Sequence, residues 1–143
     1  MSLGPTFARR VFIVAGVYGM MALIPQYFME GAWSLRFPPP VTHPEHFYGF
    51  MGVAIAWQFA FLIIGLDVER FRNFILPAVL EKVSFGAATL VLYVRGLVRV
   101  PVACAGTIDL VFAVLFVLAF VASRRAETSA KTGTLVPFRP ALF

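Results

Sequence analysis

Hydrophobic positions in this 143-residue chain are gathered into four runs, 11–24 (extending to 28 through Pro25), 47–66, 74–94 and 101–122. Short polar or charged stretches separate them. As an α-helix, a run of this length reaches roughly 30 Å, about the hydrocarbon thickness of a bilayer. The runs fill more than half of the chain, and no soluble domain is attached to them. The expected fold is therefore all-α: a polytopic membrane protein with four transmembrane helices in an antiparallel bundle. The bundle should occupy 9–125, with spans near 9–28, 44–66, 72–96 and 101–122. A short leader (1–8) and a polar, mobile tail (126–143) should flank it, and the segments 135–138 and 141–143 of that tail could dock elsewhere.

Composition supports lipid as the solvent. The chain is 60% hydrophobic and only 13% charged, with a mean hydropathy of +0.86. Soluble domains carry about twice that share of charge, so too little polar surface is available here for a water-soluble globule. The first run follows Arg9 and Arg10, but no small-residue cleavage site comes after it, so it reads as a retained helix. A single cysteine, Cys104, excludes an internal disulfide and is most simply a small packing residue.

The net charge of +5 does not point to nucleic acid, because the basic residues lie at helix ends and form no patch among exposed aromatics. Their distribution orients the chain instead. With the N-terminus inside, Arg9, Arg10, Arg70, Arg72, Arg124, Arg125, Lys131 and Arg139 lie inside, and Arg36, Arg95 and Arg99 lie outside. This bias places both termini in the cytoplasm.

The long connection 26–45 then lies outside. Its Tyr27, Phe28, Trp33 and Phe37 suit the membrane–water interface, and prolines 38–40 favour an extended polyproline segment. Thr42 and Glu45 have the spacing of a capping box with Pro44 in the first turn, which predicts that the second span starts there. His43 and His46 flank Glu45 and are the weak metal candidates. With the one carboxylate assigned to a cap, the ligand set is thin, so no metal is expected.

Polar groups inside the spans are the candidate chemistry. Gln58, mid-way along the second span, must find a partner, either an interhelical hydrogen bond or a ligand. Glu81 and Lys82 stand side by side in the third. Either they are boundary residues, with Lys82 snorkelling to headgroups, or Glu81 is a buried functional acid. Asp109 in the fourth span is expected to form a structural ion pair with Arg95, tying the hairpin of the last two helices. Gln58, Glu81, Tyr93 and Asp109 are the candidates for lining an intramembrane cavity that binds a quinone, pigment or lipid. The cofactor, if any, is unknown. Proton movement through Glu81 and Asp109 is disfavoured, because estimated depths place them near opposite faces.

The stretches 9–24, Gly49-Phe-Met-Gly-Val-Ala-Ile-Ala-Trp-Gln58 and Pro77-Ala-Val-Leu-Glu81 give the chain a pattern that resembles the DoxX-like small bacterial membrane proteins. The resemblance implies a four-helix bundle in the bacterial cytoplasmic membrane, an accessory to redox or energy-transducing systems. No catalytic residue can be carried over. The expected function is a non-catalytic accessory or structural subunit, with lipids and other membrane subunits as partners. The alternative is a protein or enzyme that binds a lipophilic ligand.

Overall fold

The computed structural model describes residues 5–36 and 40–133, and among these it contains helices and no strand. Helix α1 spans Pro5–Tyr27, a short α2 spans Glu30–Arg36, α3 spans Pro44–Leu66, α4 spans Ile75–Val94 and α5 spans Val100–Gly133. A 3-10 turn, Arg72–Phe74, leads into α4. Four helical segments are long and apolar enough to cross a membrane: Thr6–Tyr27, Pro44–Leu66, Arg72–Val94 and Val100–Arg124. The molecule is an integral membrane protein built as a helical bundle.

Local chemistry explains the helix ends. Pro44 is the first residue of α3, Pro101 the second of α5 and Pro77 the third of α4, positions where a missing N–H costs nothing. Helix α4 closes with Gly96 at φ 72; Leu97 N–H donates to Leu92 O and Gly96 N–H to Tyr93 O, both at 2.9 Å. This is a Schellman ending, and it requires the left-handed conformation that glycine adopts without a Cβ penalty. Pro25 does not end α1 at once, since the helix runs on to Tyr27.

Successive spans alternate in direction, as the contacts between them show. Gly16 and Gly19 of α1 lie against Gln58 of α3, while Ile13 lies against Gly65, so residue numbers fall on one helix as they rise on the other. The same holds for Phe12 with Phe116 and Tyr18 with Phe112, across α1 and α5. We call the end bearing α2 the upper end and the end bearing the 3-10 turn the lower end.

Helix α1 packs against both α3 and α5, and α5 packs against α4. Helices α3 and α4, joined by the short lower turn, barely touch, so among the described residues the fourth side of the bundle is open. The core lies in the lower half. Phe12 stacks on Phe116 at 4.2 Å between ring centroids, and Phe61 meets Phe116 edge-on at 5.0 Å. These rings are completely buried, as are Ile75, Ala78 and Ala119. Lipid is as apolar as these side chains, so their benefit comes from close packing, about 0.5–1.5 kcal/mol per aromatic pair beyond simple burial.

Some sequence expectations change. Helix α5 continues through the polar stretch to Gly133, where a mobile tail was expected. Cys104 lies on the exposed face of its helix and is not a packing residue. The capping box is not formed: His43 is the N-cap of α3, no side chain caps it, and Glu45 falls one position too early to be its partner. Two of the three prolines of the polyproline reading (38 and 39), Phe37 and the docking segments 135–138 and 141–143 lie outside the residues described.

Candidate functional site

The buried stripe of α4 consists of Ile75, Ala78, Lys82, Gly86 and Thr89, spaced at helical intervals and facing α5. Glycines at the crossing bring the two backbones together. A Cβ on Gly86 would lie 2.7 Å from Gly106 O, and one on Gly106 would collide with the Thr89 hydroxyl. That contact sets the register of the hairpin. One turn below Gly86 is Lys82, and one turn below Gly106 on the descending α5 is Asp109. Lys82 Nζ lies 3.1 Å from Asp109 Oδ1 and 3.3 Å from Glu81 Oε2, with the three side chains 7%, 15% and 18% exposed.

Lys82 thus bridges two carboxylates. Glu81 Oε2 is buried and has no hydrogen-bond partner among the described residues, so its link to the ammonium is an ion pair by distance alone. The ammonium also sits 5.1 Å from the centre of the Phe61 ring, a cation–π position just above the aromatic core. Counting along the helices, Lys82 is roughly 15 Å from the lower end at Arg72, and Asp109 roughly 14 Å from the upper end at Val100. The cluster is therefore near mid-membrane. Two acids and one base leave a formal charge of −1 if all are ionised, in a region where unpaired charge is expensive.

The expected pair of Arg95 with Asp109 is not formed, because Asp109 takes Lys82. Taking Gly86 opposite Gly106, Arg95 lies level with residue 97, about 18 Å along the axis from Asp109. The boundary reading of Glu81 and Lys82 fails as well. Lys82 does not snorkel, because its face is turned into α5 and the space below it holds Ile75, Ala78 and Phe61, all completely buried. Nor are Glu81 and Asp109 near opposite membrane faces, since one ammonium joins them.

Glu81 also forms part of the wall of a cleft of about 360 Å³ on the open side between α3 and α4. Phe50, Val53 and Trp57 line it from α3, and Leu80, Ser84 and Phe85 from α4. Apart from Glu81, Ser84 and the Trp57 indole, the lining is apolar.

Two other candidates lie elsewhere. Gln58 is buried and turned towards α1, where its amide fills the notch left by Gly19; its Nε2 donates to Ala54 O at 3.0 Å and its Oε1 has no partner among the described residues. Tyr93 is 44% exposed and lines a shallow upper cavity with Arg36, Arg99, Val100 and Pro101. It stands about 16 Å above Lys82 along the helix. Of the four proposed cavity residues, only Glu81 and Asp109 come together. The residue that joins them, Lys82, was not among the candidates.

His43, Glu45 and His46 lie at the upper start of α3, all exposed, with His43 Nδ1 2.9 Å from Glu45 Oε1. Comparison with known proteins identifies no relative: no family model, curated protein or solved structure matches the chain.

Proposed function

We propose that this integral membrane protein is a non-catalytic accessory subunit, and that a transmembrane helix of a partner occupies its α3/α4 cleft. The observation that carries the reading is the open fourth side of the bundle, with Glu81 in its wall at mid-membrane. Lipid chains offer that carboxylate no hydrogen bond, whereas a partner helix can present a donor. The surface beside the cleft favours the same occupant. Gly49 and Gly52 on α3 have nothing within 4 Å of where a Cβ would be, and Ala56 is exposed. Small residues on an outward face let another helix approach closely. At most a third of each span's most apolar stretch is buried within the chain, which leaves ample surface for neighbours.

The DoxX-like resemblance of the sequence points in the same direction, to an accessory of a redox or energy-transducing complex. The same resemblance implies the bacterial cytoplasmic membrane, and the bias of basic residues favours cytoplasmic termini and an external upper end.

A second reading is favoured by the size of the cleft, which lies within the range of small-molecule sites. In that reading a lipophilic molecule with a hydroxyl or amine donor, such as a quinol, binds there with its polar group on Glu81. Extraction from native membranes in a mild detergent, followed by native mass spectrometry, separates the two. The accessory reading expects a defined partner protein that is retained by wild type and lost on Glu81→Gln. A bound small molecule with no protein partner would replace it with the second reading. A bare chain at 15.8 kDa would refute both.

A further inference from the structure

We propose that His43, Glu45 and His46 form a binding site for a divalent transition-metal ion at the upper end of α3. The three residues surround the helix start: His43 is the N-cap, Pro44 the first helical residue, and Glu45 and His46 complete the first turn. One ligand atom from each lies within 4.8 Å of the others. The two imidazole rings stand 5.5 Å apart at 51°, and Glu45 Oε1 is already 2.9 Å from His43 Nδ1. A tetrahedral shell with metal–ligand bonds near 2.0–2.1 Å needs its donor atoms about 3.3–3.4 Å apart. All three side chains are exposed, so each is free to rotate about its own bonds towards that spacing.

The donor set selects the ion. Two imidazole nitrogens and one carboxylate oxygen suit Zn(II), Co(II), Ni(II) or Cu(II), and not Mg(II) or Ca(II), which require oxygen ligands. Three protein ligands leave at least one position for water or for a group from another molecule. The backbone favours convergence, since Pro44 fixes its own φ and His46 N–H donates to His43 O at 3.1 Å, closing the turn that carries both rings. Against the ion stand the positive end of the α3 dipole and the exposure of the ligands to water. Both restrict the site to moderate affinity, with an exchangeable ion.

Glu45 is not engaged in a cap, since it falls at the second helical position and its carboxylate turns back to His43. This inference is independent of the α3/α4 cleft, because it uses neither Glu81 nor any residue of α4.

The test uses the full chain, free of any affinity tag that binds metal, reconstituted in nanodiscs and stripped with chelator. ZnCl2 is titrated against a chromophoric competitor chelator, and CoCl2 is added separately to read ligand-field absorption. The proposal expects saturable binding of one ion per chain and a cobalt spectrum of low coordination number. His43→Ala and His46→Ala should each weaken zinc binding by about tenfold or more, the scale on which removing even a supporting partner of a ligand lowers metal affinity. Glu45→Gln should change the cobalt spectrum, and unchanged helical circular dichroism will show that each variant is folded. The inference is overturned if wild type binds no stoichiometric ion, if the double variant His43→Ala/His46→Ala binds as tightly as wild type, or if cobalt remains in its hexa-aqua spectrum.

Discussion

Replacing Lys82 with methionine keeps an unbranched side chain, one atom shorter, and removes the ammonium from between Glu81 and Asp109. Both acids lose a partner, at 3.3 Å and 3.1 Å, in a cluster whose side chains are no more than 18% exposed. Solvent can return little of the lost interaction. Removing one partner of a buried ion pair costs about 3–5 kcal/mol. Two carboxylates are stranded here, but each can neutralise itself by binding a proton, so the loss should stay within about that range and not double. Asp109→Asn leaves Lys82 with Glu81 and should cost less, about 1.5–3 kcal/mol, the value of a hydrogen bond to a charged group. The Lys82/Asp109 double-mutant cycle should give a coupling of roughly 1–3 kcal/mol, whereas Arg95→Gln should combine additively with Asp109→Asn, within about 0.5 kcal/mol. Reversible unfolding in mixed micelles, followed by the fluorescence of Trp33 and Trp57, measures all of these. The reasoning is refuted if Lys82→Met costs no more than Arg95→Gln, or if Lys82 and Asp109 are additive.

Three further outcomes follow from the packing. Gly106→Val should open the α4–α5 contact, where the Thr89 hydroxyl leaves no room for a Cβ; we expect a loss of about 1–3 kcal/mol in the same unfolding assay. Phe116→Ala removes the ring that Phe12 stacks on and Phe61 meets edge-on, and should cost about 3–5 kcal/mol; thermal melting in detergent will show it. Gln58→Leu should change stability by less than about 1 kcal/mol, because it removes a buried oxygen with no partner among the described residues and a hydrogen bond made to its own helix; a large loss in thermal melting would show that the amide has a partner.

The four spans were legible because an apolar run of bilayer length has few alternatives to a helix. Small residues in a span let a neighbouring helix approach, and Gly16 and Gly19 receive α3 closely. The charge cluster was less legible, although most of its signal lay in the numbering. With α4 ending at Val94 and α5 starting at Val100, the turn is centred on residue 97, and antiparallel partners should sum to about 194. Asp109 then faces residue 85, close to Lys82 and far from Arg95. Membership of the same hairpin, on which the expected Arg95 pair rests, is a weaker guide than register. The open side between α3 and α4 could not be read in this way. Which helices adjoin depends on how α1 inserts between α3 and α5, and that is decided by the fit of Phe12, Phe61 and Phe116.

The most direct test of the central claim is to place a photo-crosslinking amino acid at Val53, which lines the cleft, and at Val114, an exposed position on α5 outside it. Irradiation is carried out in native membranes. The account predicts that Val53 captures one discrete membrane protein, that Val114 does not, and that Glu81→Gln weakens the capture. Labelling of lipid alone at both positions, or capture only from Val114, would contradict it.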